Sequence, residues 1–399
     1  MASPTHGLAG TVNDDEARVL LGRLVAIPSV NPQHLASLDP PFGESEIAAF
    51  VAGFGRSLGL PVELQPVLPG RDNVLITFEG KDPGRRLLFE CHLDTVPGWS
   101  GEPDPFEPRV ASGRLSGRGA CDVKGTLASM LLAFRLLVKR GLRPCRTVVL
   151  AATVDEEHQA RGVHRLAEAG AIAEAAVVGE PTELAIVIAH KGCVRWRLTT
   201  LGRSVHSSKA ELGVNAIDAM VDLLAGLRTE LAPALSRLDH QLVGKPTFSV
   251  CTIQGGVAVN VIPDRCAVEI DRRTIPGEDI REVERELADA LRRIQDDRPD
   301  LQVALDPPFV VDPALGTPAD AAIARELAAA TEAVIGHAET RGVTFGTDAS
   351  KLSQVGIPSV VFGPGSIDLA HTRDESIALA DVARAAEIFA ILALGEGER

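Results

Sequence analysis

The chain contains no tyrosine, three methionines, two tryptophans, and 4% aromatic residues in all. That scarcity argues against a platform on which bases or sugars stack. Positive charge is also short: 40 Lys and Arg stand against 54 Asp and Glu, a formal net charge of −14. Nucleic acid and anionic membrane attract basic surfaces, so neither is expected as a partner. No apolar run approaches the ~20 residues of a membrane span. Residues 1–15 show no basic segment leading into an apolar one, so no signal peptide is expected. Six cysteines are scattered without a CxxC pair. Disulfide frameworks belong to small secreted chains, so reduced, mostly buried thiols in a cytoplasmic protein are expected. A phosphate motif is missing too: there is no Walker-type loop.

What is present is a long, ordinary globular composition. At 399 residues, 45% of them hydrophobic, the chain is long enough for about two domains with sizeable cores. Apolar spacing of 3.6 predicts helices over 16–28, 44–58, 124–140, 215–228, 279–294 and 319–333. β-rich runs predict strands over 73–78, 86–92, 147–154, 175–178, 187–201, 247–254, 265–273, 301–305 and 358–362, and a Pro-rich loop spans 31–42. The middle of the chain reads β-α-β-β-α-β, the split pattern of a ferredoxin-like α+β unit. The expected organisation is therefore a larger α/β domain, residues 1–187 plus 306–399, interrupted by a smaller one at 188–305. Alternating strands and helices in the larger domain argue for a mostly parallel sheet covered by helices on both faces.

Four segments place histidine or carboxylate just past a strand-like run: His92-Leu93-Asp94, Asp155-Glu156-Glu157, Gly179-Glu180-Pro181, and the Gly363-Pro364-Gly365 loop leading to His371. A fifth, Gly119-Ala120-Cys121-Asp122, opens the long helix. Open α/β sheets bind ligands outside the carboxyl ends of their strands. Each segment alone reads as a polar turn. Together they would gather several negative charges that repel one another unless a cation neutralises them. His with Asp and Glu, and no Cys cluster, suits zinc in a hydrolytic site, or manganese or cobalt. His92 and Asp94, two apart on an extended chain, face the same way, and an aspartate beside a ligating imidazole fixes its tautomer. Glu156 and Glu157 point apart, so one can ligate while the other serves as base.

At these residues the sequence resembles the family of acetylornithine deacetylases, succinyl-diaminopimelate desuccinylases and carboxypeptidases G. The motifs follow in order: Cys91-His92-Leu93-Asp94-Thr95-Val96-Pro97, Gly117-Arg118-Gly119-Ala120-Cys121-Asp122-Val123-Lys124-Gly125, Asp155-Glu156-Glu157, Gly179-Glu180-Pro181-Thr182, and the late His371. The resemblance implies a zinc-exopeptidase-like catalytic domain carrying an inserted lid, or dimerisation, domain. It implies two Zn2+ ions, with Co2+ or Mn2+ able to substitute. His92, Asp122 and Glu180 would hold one and Asp122, Glu157 and His371 the other, with a cis peptide after the bridging Asp122. Asp94 would orient His92. Glu156 would deprotonate a water bridging the metals, which attacks the amide carbonyl, and would then protonate the leaving amine.

In the lid, His206 of Gly202-Arg203-Ser204-Val205-His206-Ser207-Ser208 matches a histidine that stabilises the oxyanion in the partner subunit's site. Asn260 and Arg273 match residues that hold substrate; Arg273 alternatively reads as a structural ion pair. Ala189-His190-Lys191-Gly192 and Phe362-Gly363-Pro364-Gly365-Ser366-Ile367 look most like acetylornithine deacetylases, which implies an N-acyl amino acid substrate, a homodimer and a place in arginine biosynthesis. Gly346-Thr347-Asp348-Ala349 resembles carboxypeptidase-type members equally, which keeps a dipeptidase or carboxypeptidase acting on a short peptide open. Val205 departs from the small residue usual before that histidine. A catalytically silent binding relative would have lost ligands, and all five are present.

Overall fold

A computed structural model describes residues 7–34, 43–101, 103–168 and 173–395. From residue 35 onward the Pro-rich loop lies outside the described residues; Pro32–His34 form a single 3-10 turn. The chain divides into two compact units. Unit 1 takes described residues from 1–188, 317–341 and 347–399, and unit 2 takes 189–316 and 342–346.

In chain order the main elements begin with helices α1 (Asp14–Val25) and α2 (Ser45–Ser57). Strands β1 (Val62–Leu68), β2 (Arg71–Phe78) and β3 (Asp82–His92) follow, then helix α3 (Lys124–Lys139), strand β4 (Arg146–Thr153) and helix α4 (Arg161–Glu168). After β5 (Ala175–Val178) and β6 (Ile186–His190) come β7 (Gly192–Leu201), α5 (Ala216–Arg237), β8 (Thr247–Gly255), β9 (Arg265–Thr274), α6 (Ile280–Asp297) and β10 (Gln302–Leu305). The chain ends through α7 (Ala322–Ile335), α8 (Ala349–Gln354), β11 (Ser359–Val361) and α9 (Leu379–Leu394).

The sheet of unit 1 runs β1-β2-β4-β3-β5-β11-β6. Its centre, β4-β3-β5-β11, is parallel, as the strand–helix alternation predicts. Its edges are not: β1 and β2 form an antiparallel hairpin, β2 pairs antiparallel with β4, and β6 antiparallel with β11. Two residues connect β1 to β2, too few for the crossover that a parallel pair needs. β1 was not foreseen because it is a largely exposed edge containing Pro66, with little alternation to read.

Every residue of β4 and the last six of β3 are buried. Leu87, Phe89 and Cys91 point into the core shared with α3 and α9, so Cys91 is a packing residue. There Phe89 meets Phe389 edge-on at 5.0 Å between ring centroids, and Phe389 meets Phe362 at 5.6 Å. Strand alternation sends Glu90 and His92 to the opposite face. In register, His92 of β3 stands opposite Thr153 of β4, and Glu90 opposite Val178 of β5. The parallel strands thus end together, and the residues just beyond them share one rim.

Unit 2 has the sheet order β8-β9-β7-β10, all antiparallel. With its strands alternating β7-α5-β8-β9-α6-β10, this is the ferredoxin-like arrangement. Trp196, Leu198, Val268 and Ile270 pack with Met220 and Leu223 of α5 and Leu287 and Leu291 of α6. The single strand expected over 187–201 is in fact two, broken at Lys191. Gly192 explains the break: a Cβ there would lie 2.3 Å from the Asp312 carbonyl oxygen, so two stretches of backbone meet where a side chain cannot fit. Helix α5 runs nine residues beyond its expected end, through Pro233, because Leu231 extends the buried face by another turn.

Candidate metal centre

Residues from the carboxyl rim of unit 1 converge. At the end of β3 the buried carboxylate of Asp94 accepts three hydrogen bonds. Its Oδ1 takes the amide of Glu156 at 3.1 Å, and its Oδ2 takes the amide of Glu157 at 3.0 Å and Nδ2 of Asn31 at 2.8 Å. The Asp155-Glu156-Glu157 turn is held from its other side as well. Asp155 has a left-handed backbone, φ +72°, and donates its amide to Glu44 at 3.1 Å. Arg71 bridges Glu44, through two contacts of 2.5 Å, and Asp155 at 3.0 Å. Asn31 reaches Asp155 too, at 3.0 Å. These buried charges are paired and hydrogen-bonded on several sides, the condition under which burial is tolerable.

Asp122 lies at the entrance to α3, and the Asp122–Val123 peptide is cis, as the resemblance implies. Its Oδ1 is 3.1 Å from His92 Nε2 and its Oδ2 is 3.1 Å from His371 Nε2. Glu180 approaches His92 Nε2 at 4.0 Å, and Glu157 approaches His371 Nε2 at 3.1 Å. Two donor groups result, His92–Asp122–Glu180 and Asp122–Glu157–His371, each with its ligand atoms within 4.8 Å of one another. They share Asp122.

The donor chemistry fits cations. For Zn–N and Zn–O bonds of about 2.0–2.1 Å, tetrahedral geometry puts donors about 3.3 Å apart. His92 Nδ1 lies 2.9 Å from the Asp94 backbone carbonyl, which only accepts. A neutral ring therefore carries its hydrogen on Nδ1 and turns a bare Nε2 lone pair towards Asp122 and Glu180. A metal ion between them satisfies all three. Here Asp94 meets His92 through its main chain; its Oδ1 is 3.6 Å from Nδ1.

The electrostatics carry the same message. Burial pushes Glu180 well above the usual carboxylate range, with Asp122 adding to it. Burial, offset in part by His92, pushes Glu156 up to about 8, with Glu157 and Asp94 contributing. Hydrogen bonds to Asp122 and Glu157 push His371 up to about 10. Asp122 itself is held low: burial opposes its ionisation, but the His371 and His92 contacts outweigh it. The carboxylates crowd one another and favour positive charge among them, which a divalent cation would supply.

The other expected site residues belong to unit 2. His206 is exposed, pairs in register with Val261, and has Nδ1 2.8 Å from Ser208 Oγ. The amide of Ser207 donates to the Asn260 carbonyl at 2.9 Å, so Asn260 borders the two-stranded ribbon in which His206 pairs with Val261. Arg273 is ion-paired with Asp271 at 2.8 Å and lines a surface cavity of about 620 Å³ with Arg195, Ser249 and Phe309.

Asn31, Glu44 and Arg71 were not foreseen, and no sequence signal marks them. Arg118, inside the glycine-rich motif before Asp122, and Glu375, four residues beyond His371, are both buried beside the donors and were not foreseen either.

Fold and donor set together define a metal-dependent amidohydrolase. The chain belongs to the peptidase family M20/M25/M40, whose family model matches residues 88–395. An acetylornithine deacetylase of Salmonella arizonae is 34% identical over 362 residues, covering 88% of this chain and 90% of that protein. The Salmonella newport acetylornithine deacetylase shows the same identity and coverage. Among solved structures, aminopeptidase PepT from Bacillus cereus superposes with a TM-score of 0.79 at 21% identity, over 96% of this chain and 99% of that one. A metallo-carboxypeptidase from Sulfolobus solfataricus gives 0.74 at 18% identity, over 95% and 99%. Human carnosine dipeptidase 1 gives 0.72 at 18%, over 96% of each chain. These last three establish the shared fold.

Proposed function

We propose that the protein hydrolyses the amide bond of an N-acylated amino acid, as an acetylornithine deacetylase-like deacylase. The observation that carries this reading is the pair of donor groups sharing Asp122, with the Glu156 carboxylate beside them. The name shared by the two Salmonella relatives supports the substrate class. His92, Asp122 and Glu180 would hold one zinc ion and Asp122, Glu157 and His371 a second, with cobalt or manganese as substitutes. When bound, such ions polarise a carbonyl and lower the pKa of water.

Glu156 is the general base. It takes a proton from the attacking water as the new C–O bond forms and returns it to the nitrogen as the C–N bond breaks, leaving a carboxylate and an amine. Asp94 fixes both the ring of His92, through its carbonyl, and the main chain of Glu156. The same reading makes the protein a cytoplasmic homodimer joined through unit 2, with His206 of the partner subunit donating to the developing oxyanion. Asn260 and Arg273 hold the substrate, the guanidinium of Arg273 being matched to a carboxylate.

The test is amine release from N-acetyl, N-succinyl and N-formyl amino acids and from dipeptides, with zinc- or cobalt-loaded and with chelated protein. Metal-dependent cleavage of one acyl class is the expected outcome. Cleavage confined to dipeptides would replace it with a peptidase reading, and binding without cleavage would point to a silent relative. Glu156→Gln should keep its metal and lose at least about 10²–10⁴-fold in kcat, the usual weight of a general base. Full activity in that variant removes Glu156 from the role.

A further inference from the structure

Four residues beyond His371 stands Glu375, which neither donor group includes. Its side chain is fully buried. Its Oε1 accepts the amides of Cys121 at 3.0 Å and Asp122 at 3.1 Å, and its Oε2 accepts Nη1 of Arg118 at 2.5 Å. Arg118, also buried, extends Nη2 to the backbone carbonyl of His371 at 3.3 Å and Nε to the carbonyl of Pro97 at 3.1 Å. One ion pair therefore grips the main chain of Asp122 with one partner and the main chain of His371 with the other.

The two ends of that grip are not equally secured by anything else. His92 and Glu180 follow directly from β3 and β5, whose parallel pairing fixes them. His371 lies on a loop, has a left-handed backbone at φ +62°, and leaves half of its side chain exposed. Of the described ligands it depends most on local contacts. A buried ion pair is poor value as simple stabilisation, since apolar residues of similar volume often do as well. Its placement between two ligand backbones supplies a reason for it that packing does not.

Resting on the metal-centre reading above, we propose that Arg118 and Glu375 are positioning residues that set the separation of Asp122 from His371. They thereby tune the affinity of the Asp122–Glu157–His371 position, two of whose residues they hold, more than that of the His92–Asp122–Glu180 position, which shares only Asp122 with the grip. Residues that orient ligands from behind typically account for about 10–100-fold in metal affinity.

The experiment titrates metal-free wild type, Glu375→Gln and Arg118→Lys with Co2+, followed by calorimetry and by the visible absorption of bound cobalt. Gln keeps the shape and an amide-accepting oxygen but drops the charge; Lys keeps the charge but drops the second donor. Wild type is expected to bind two ions. Each variant should bind the second ion about 10–100-fold more weakly and the first with a distinctly smaller loss, with turnover restored by added metal at an unchanged KM. Wild-type affinities for both ions overturn the proposal. So does equal weakening of both ions with a lowered unfolding midpoint, which is the mark of a merely structural pair. If one variant does not fold, the other decides. A wild-type chain that binds no second ion overturns the two-cation reading itself, and this proposal with it.

Discussion

The carboxylate of Asp94 organises the residues around the candidate base more than it touches the candidate ligand. It accepts the amides of both Glu156 and Glu157 as well as Asn31 Nδ2. Asp94→Asn exchanges one accepting oxygen for an NH2 that faces N–H donors. Leaving a buried donor unsatisfied costs about 1–3 kcal/mol. The expected result is a stability loss of that size in urea unfolding, together with a fall of about tenfold or more in kcat as the Glu156 turn relaxes. Unchanged kcat would show that the turn holds its geometry without Asp94. The candidate donors were legible in the sequence because His92, Glu157 and Glu180 stand at or just past strand ends, Asp122 opens a helix, and all but the late His371 sit inside short motifs. Asn31 was not, because it reaches Asp94 and Asp155 across 63 and 124 residues of sequence. An asparagine in a proline-rich stretch carries no mark of that destination. Glu44 and Arg71 were hidden for the same reason, since each meets its partners only through the fold.

At the scale of elements, periodicity revealed what is buried and missed what is thinly covered. β3, β4, β5 and α3 were readable because their apolar residues dominate. Helix α4 was not, having only Gly162, Val163 and Leu166 buried in eight residues. Yet α4 bears directly on the site. The amide of Gly162 donates to the Val154 carbonyl at 3.0 Å, and Asn73 ties the Gly162 carbonyl, at 2.9 Å, to the Val154 amide, at 3.1 Å. This clamp precedes Asp155 directly. A Cβ on Gly162 would lie 2.4 Å from the Val154 carbonyl oxygen and 2.5 Å from its nitrogen, both main-chain atoms that cannot swing aside. Gly162→Ala should therefore push α4 away from β4 at a cost of about 1–3 kcal/mol. Denaturant unfolding measures that cost, and the kcat of the same variant shows how far the displacement reaches Glu156. Wild-type stability would mean that the helix start can shift freely.

For the whole molecule, the core of unit 1 and the metal donors are separate assets. The apolar cluster of β3, α3 and α9 contains none of the proposed ligands. Removing the ions with a chelator is accordingly expected to abolish turnover while leaving the far-ultraviolet circular dichroism intact. The unfolding free energy should fall by the binding linkage alone, about 2.7 kcal/mol for each ion where free metal had stood at a hundred times its dissociation constant. Unfolding on chelation would instead make the metal structural, as in small zinc domains whose fold is metal-dependent.

Unit 2 poses the remaining question at this scale, because one edge of its sheet is open. Among the described residues β8 pairs only with β9, which leaves its other edge open, and exposed unpaired strands are normally covered or blunted. Ile253 on that edge is 56% exposed, and Val257 and Val259 in the following turn are almost wholly so. A second copy of the same strand is a self-complementary partner under two-fold symmetry, the commonest oligomeric arrangement. The chain should thus run in light scattering at twice its 42.1 kDa. Ile253→Lys puts like charges opposite each other across that axis and should shift the mass towards the monomer. If His206 acts from the partner subunit, kcat should fall with the dimer fraction and recover as protein concentration is raised. A monomeric variant with full, concentration-independent kcat would remove His206 from the partner's chemistry while leaving Glu156 and the donor groups untouched.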